Sequence, residues 1–143
     1  MDNRASLLAQ WLQKLAEFYD IRIMSAFGSR AGEIQEVLNQ GRTALSPGLS
    51  DLDIGVKTSK KLSINEKVDL AKSIEDLFDV KRVDLVILDE VPTSIAYQAV
   101  TGTLLYATDP VEESEYQLYV MRRFAELLPY YRKAEGMLLG ANP

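Results

Sequence analysis

The sequence predicts an α/β fold: a small mixed β-sheet flanked by helices, with a long C-terminal helix. Short apolar runs at Ile21–Phe27, Leu52–Val56 and Val83–Leu88 alternate with stretches whose apolar residues recur at helical spacing. Polar residues of one kind sit at the mouths of those runs. Phe27 leads into Gly28-Ser29, Asp51 and Asp53 open the second run, and Asp84 interrupts the third. No internal repeat, low-complexity stretch or linker divides the 143 residues, so residues 1–143 read as one domain.

Residues 4–19 place Leu7, Leu8, Trp11, Leu12, Leu15 and Phe18 at helical spacing, which predicts an amphipathic helix with Trp11 facing the core. Ile21–Phe27 follows as a strand that ends where Gly28-Ser29 must turn the backbone sharply. A loop-like insertion about 33–48 comes next. Glu33–Leu38 is a candidate short helix within it, and Gln40-Gly41-Arg42 and Ser46-Pro47-Gly48 are loop signals. Leu52–Val56 is the second strand. The three lysines of Lys57–Lys61 form a solvated connection or, alternatively, a phosphate contact.

Ser63 and Glu66 have the spacing of a capping box for a helix over 64–78, with Val68, Ala71, Ile74, Leu77 and Phe78 as its buried stripe. Val83–Leu88 is apolar apart from Asp84 and reads as buried on both faces. A charge there needs either a metal or a salt bridge, for instance to an arginine. Pro92 opens a helix to about Val100, Gly102 ends it, and Thr103–Tyr106 is a short strand at the sheet edge. The last helix, about 112–139, carries Tyr116, Val120, Phe124, Leu127 and Tyr131 on one stripe. Tyr119, Leu128 and Met137 widen its apolar surface, which covers its own domain or meets a partner, and Pro129 should kink or break it.

Composition narrows the chemistry. There is no cysteine and no histidine, which excludes disulfide frameworks, thiolate metal sites, histidine-based triads and typical zinc enzymes. A net charge of −5 argues against a broad nucleic-acid surface. Met1-Asp2-Asn3-Arg4 lacks a signal-peptide pattern and no segment approaches a membrane span, so a cytoplasmic location is expected. Catalysis is left to carboxylates, hydroxyls, lysines, arginines and bound ions.

Asp51 and Asp53 lie two residues apart on a strand, so they project from one face. Carboxylates held that close repel each other unless a cation lies between them, and oxygen-only ligands favour Mg²⁺. With Asp84 on a neighbouring strand, three acids suffice for two Mg²⁺ ions about 3.5–4 Å apart, an arrangement that serves nucleotidyl transfer. Asp51 and Asp53 would hold the metals; Asp84 would complete the ion nearer the acceptor and take its proton. Donors for a triphosphate come from the Ser29 N–H and hydroxyl and the Arg30 guanidinium, and Gly28 leaves the approach open.

Gly28-Ser29-Arg30-Ala31, Ser50-Asp51-Leu52-Asp53 and Val83-Asp84-Leu85-Val86, in that order, resemble the polymerase-beta-like nucleotidyltransferase superfamily. Within it the chain is most similar to the minimal nucleotidyltransferases, the MntA-like antitoxins of MNT/HEPN toxin–antitoxin pairs. Ala99–Asp109 and the terminal helix, with Tyr116, Arg122-Arg123-Phe124 and Leu128-Pro129, match the family's second half. The resemblance implies transfer of AMP from MgATP to a tyrosine of a cognate HEPN ribonuclease toxin, which neutralises it, in a hetero-oligomer with that toxin. It implies triphosphate binding by Gly28 and Ser29 and metal binding by Asp51, Asp53 and Asp84.

Two features depart from the family pattern. The interval from Ser29 to Asp51 is about twice the common one, a length that looping out tolerates. Gly32 stands where a further arginine is frequent, and Arg42 on the insertion is a candidate substitute. The alternatives are a catalytically weak or inactive antitoxin acting by direct binding, and a nucleotidyltransferase for a small molecule such as an aminoglycoside.

Overall fold

The computed structural model describes residues 4–39, Leu45 and residues 50–138. The loop signals Gln40-Gly41-Arg42 and Ser46-Pro47-Gly48 lie outside these residues, as do Arg42 as a phosphate contact and Leu139 as a helix residue. Among the described residues, five helices and four strands follow one another as α1 (Arg4–Tyr19), β1 (Ile21–Phe27), α2 (Ala31–Leu38), β2 (Leu52–Thr58), α3 (Ile64–Phe78), β3 (Val83–Ile87), α4 (Thr93–Val100), β4 (Thr103–Ala107) and α5 (Pro110–Leu138). The sheet has the order β3-β2-β1-β4 and is mixed: β1 is antiparallel to β2 and β4, and β2 is parallel to β3. β4 is an edge strand, as expected.

Strand alternation sorts the side chains into two layers. On one face Met24, Ala26, Leu52, Ile54, Val56, Val83 and Ile87 form a core with Leu12 and Ala16 of α1 and Leu70, Ile74 and Phe78 of α3. On the other, Phe27 and Leu88 meet Ala99 of α4, with Val86, Ile95 and Tyr116 beside them. Gly55 belongs to this second face. A Cβ there would come within 2.9 Å of Leu88 and 3.0 Å of Ala99, so its absence lets α4 sit close on β2. Ala96 and Val100 then hold α5 through Val120.

The helix ends follow local chemistry. The Ser63 hydroxyl accepts the Glu66 N–H at 3.1 Å and the Glu66 carboxylate accepts the Ser63 N–H at 2.9 Å, which closes the capping box on α3. Asp79 then leaves the helix in the left-handed conformation.

Four expectations change. Trp11, Leu7 and Phe18 are exposed rather than core-facing; the face of α1 that meets the core carries Leu8, Leu12, Leu15, Ala16 and Tyr19. The apolar arc of α1 is wider than the surface available to cover it, and Leu7, Trp11 and Phe18 form its outer stripe. Val68 is likewise exposed on α3, and Leu70 takes the buried position. β3 is not buried on both faces: it pairs with β2 alone, Asp84 is exposed, and cover on its side of the strand increases only toward Leu88. Finally, α5 runs through Pro129 unbroken. Residues 57 and 58 extend β2, so Lys57 is a strand residue.

Candidate active site

β1 ends with Phe27 in extended conformation, and the chain reverses at Gly28 with φ +75°. A single 3-10 turn, Gly28–Arg30, passes directly into α2. Phe27 pairs with Asp53 across the antiparallel ladder, so Gly28 lies over the Asp53 side chain. A Cβ on Gly28 would collide with the Asp53 carboxylate. Glycine is required here twice over, for the positive φ and for the close approach.

On the other side of β2, the parallel register places Asp53 beside Asp84. The two carboxylates are close enough for the Asp84 charge to act on Asp53. Asp53 is half-buried, and its pKa is raised above the ordinary carboxylate value. Desolvation is the largest cause; the Asp84 charge and the Asp51 charge add to it. Holding two acids together in this way is unfavourable without a positive charge, and a cation between them would relieve it.

The third acid stands apart. Asp51 lies on the same side of β2, but its carboxylate is drawn to Arg82, with Nε 3.4 Å from Oδ2. Among the described residues, no three acidic side chains converge into a formed metal-binding group. Asp53 and Asp84 are brought together, whereas Asp51 is held aside. The donor set fits a hard divalent cation: every ligating atom is a carboxylate oxygen, and the charge repulsion at Asp53 is of the kind such a cation removes.

Ser29 is exposed at the turn, at the entrance to α2. Arg30 points elsewhere. Its side chain is 6% exposed, its Nε donates to Glu33 Oε2 at 2.9 Å, and its Nη1 donates to the Ser50 carbonyl at 3.4 Å. It ties the Gly-Ser turn to the segment that delivers Asp51. Two of the lysines at the far end of β2 are likewise engaged. Lys57 bonds both Asp89 oxygens at 3.0 and 3.1 Å, and Lys60 pairs with Asp20 and Glu66. They lie at the opposite end of β2 from Asp51, and the ion-paired, solvated reading is the one observed.

Arg82, the partner of Asp51, is the residue at this site that sequence reasoning missed. Its signal was present: it precedes Asp84 by two residues, so the two share a strand face.

Residues 10–111 match the family model for polymerase beta nucleotidyltransferases. The chain belongs to this family. The Gly-Ser turn and all three acids fall inside the matched span. No curated protein matches the sequence. Among solved structures, the chain is similar to one from a toxin–antitoxin complex with AMP-PNP, with a TM-score of 0.68 and 22% identity over 92% of this chain and 98% of that one. It is also similar to one from the tri-AMPylated Shewanella oneidensis HEPN toxin in complex with MNT antitoxin, with a TM-score of 0.66 and 20% identity over 94% of this chain and 98% of that one. A third, from the MntA–HepT toxin–antitoxin, gives a TM-score of 0.66 and 20% identity over the same shares. At these identities the likeness establishes the fold, a polymerase-beta-like nucleotidyltransferase domain with a C-terminal helix.

Proposed function

We propose that the protein is an antitoxin that transfers AMP from MgATP to a tyrosine of a cognate HEPN ribonuclease toxin in the cytoplasm. The observation that carries this reading is the acid pair under the glycine turn: Asp53 lies beside Asp84 in the sheet register, directly beneath Gly28, and its pKa is raised. Structural ion pairs are balanced, whereas two neighbouring carboxylates are a site that a cation would stabilise. The solved structures named above support the choice of ATP and of a HEPN partner, since one contains AMP-PNP and another a tri-AMPylated HEPN toxin.

In this reading Asp51, Asp53 and Asp84 would hold two Mg²⁺ ions, which would supply positive charge for the triphosphate and the departing pyrophosphate. Gly28 and the exposed Ser29 receive the triphosphate at the mouth of α2, where backbone N–H groups face outward. The acceptor phenol oxygen bonds to the α-phosphorus as the α–β bridging bond breaks. Pyrophosphate leaves, and the phenol proton passes to the Asp84 carboxylate. Arg30 acts as a positioning residue by clamping Glu33 and the Ser50 carbonyl. The partner meets the chain along α5, whose Leu118, Tyr119, Met121, Tyr130 and Met137 are exposed.

The experiment is intact-mass analysis of the HEPN partner after incubation with this protein, Mg²⁺ and ATP. One or more added AMP units are expected, and none with Asp53→Asn or with EDTA. The exposed apolar residues of α5 favour a second reading, neutralisation by binding alone. An unmodified partner that co-purifies and stays inactive would establish that reading instead.

A further inference from the structure

The parallel register that sets Asp84 beside Asp53 begins at Leu52 and Val83, and Asp51 and Arg82, the residues just before it, meet through their side chains. The Arg82 carbonyl accepts the Leu52 N–H at 3.1 Å, and the next N–H, that of Val83, donates to Glu75 of α3 at 2.9 Å. The backbone at Arg82 is therefore fixed from β2 and from α3. Its side chain is 76% exposed and meets Asp51 at 3.4 Å. The backbone brings this ion pair together, and solvent keeps it weak.

Such a pair creates a competition. A guanidinium and a divalent cation claim the same Asp51 oxygens, so Arg82 occupies a ligand that a cation needs. The planar guanidinium fork matches a carboxylate and a phosphate equally well, and from its solvent-exposed position it can exchange one for the other. We propose that Arg82 makes the acid cluster discriminate against a bare divalent cation and in favour of a cation delivered with a polyphosphate. Without nucleotide, Arg82 neutralises Asp51. When the cation claims Asp51, the released guanidinium pairs with the phosphate oxygens that arrive with it. Arg30 cannot take that part, because it is buried against Glu33 and the Ser50 carbonyl. The inference rests on the reading of the acids as a metal–nucleotide site, and it adds the preference for the complex over the ion.

The test is a pair of titrations on wild type, Arg82→Gln and Lys81→Gln. Lys81 is an exposed neighbour that controls for loss of charge alone. The first follows binding of Mn²⁺ alone through its free-ion resonance. The second follows binding of α,β-methylene ATP at saturating Mn²⁺ by calorimetry; its bridging carbon prevents transfer. Arg82→Gln is expected to bind Mn²⁺ alone about three- to fivefold more tightly, the range of an exposed ion pair. It is expected to bind the Mn²⁺–nucleotide complex about tenfold more weakly, as for loss of a hydrogen bond to a charged group. Lys81→Gln should match wild type in both. A merely structural role would not move the two affinities in opposite directions. Changes of the same sign, no change, or a Lys81→Gln variant that reproduces them would overturn the proposal for Arg82 alone. Wild type that binds neither Mn²⁺ nor the complex would overturn the site reading and this proposal with it.

Discussion

The two ends of the sheet treat their charges in opposite ways. At the end where β2 and β3 finish, each acid has a base: Lys57 with Asp89, Lys67 with Glu90, Lys60 with Asp20 and Glu66, and Arg22 at the start of β1 with Glu112. Lys57 also lies 4.9 Å from the Tyr116 ring centre, and burial pushes the Tyr116 hydroxyl up to about 12. At the end where β2 and β3 begin, Asp51 meets Arg82, while Asp53 and Asp84 lie side by side with no base between them among the described contacts. One end pairs its charges, while the other sets two acids side by side, the arrangement that the proposed function assigns to cations. Charge deficit, more than charge density, separates the functional end from the structural one.

The largest way to sharpen this contrast is Asp53→Asn. Removing this carboxylate should lower AMP transfer by about 10³-fold, the several kcal/mol a positioned metal contributes to a charged transition state, measured as initial rate with MgATP. Gly28→Ala comes next. Its methyl group collides with the Asp53 carboxylate at φ +75°, which should cost about 1–2 kcal/mol of stability and about 100-fold in rate. Gly32→Ala is its control: nothing lies within 4 Å of the added carbon, and stability should rise by about 0.4–1 kcal/mol with the rate unchanged. At the balanced end, Lys57→Ala should lower stability by about 1 kcal/mol in denaturant titration and leave transfer within about twofold of wild type. A large rate loss from Lys57→Ala would break the division between the two ends.

Much of this arrangement was legible in the sequence. The bounds of α1, β1 and α3 follow from periodicity and from the Ser63–Glu66 box, because those signals are local. The positions of Gly28, Asp51, Asp53 and Asp84 at strand mouths follow from where apolar runs begin and end. Burial was less legible, since it depends on what covers an element. Trp11 and Phe18 share a helical apolar arc with Leu12, yet only part of that arc meets the core. Asp84 sits in an apolar run, yet the run forms an edge strand whose start is open on that side. The roles of the two arginines were hidden for the same reason. Arg30 adjoins the turn in sequence but is captured by Glu33, whereas Arg82 is distant from Asp51 in sequence and is delivered by parallel pairing. Pro129 is tolerated within α5, against its intrinsic tendency to break a helix.

The central claim, an acid pair whose repulsion a bound cation would relieve, is tested most directly by thermal unfolding of wild type and Asp53→Asn across pH, in EDTA and in Mg²⁺ with α,β-methylene ATP. A carboxyl whose pKa is raised on folding contributes stability when protonated, fully present below its unfolded pKa and lost as pH rises through the folded value. At neutral pH in EDTA the charged Asp53 is therefore a liability, and Asp53→Asn should melt about 2–4 °C above wild type. That gap should close as the pH falls through the raised pKa toward the ordinary carboxylate value. With Mg²⁺ and nucleotide the order should reverse, because only wild type gains the ligand's stabilisation. An Asp53→Asn protein that melts at or below wild type in EDTA at neutral pH, with no reversal on adding Mg²⁺ and nucleotide, would contradict the account.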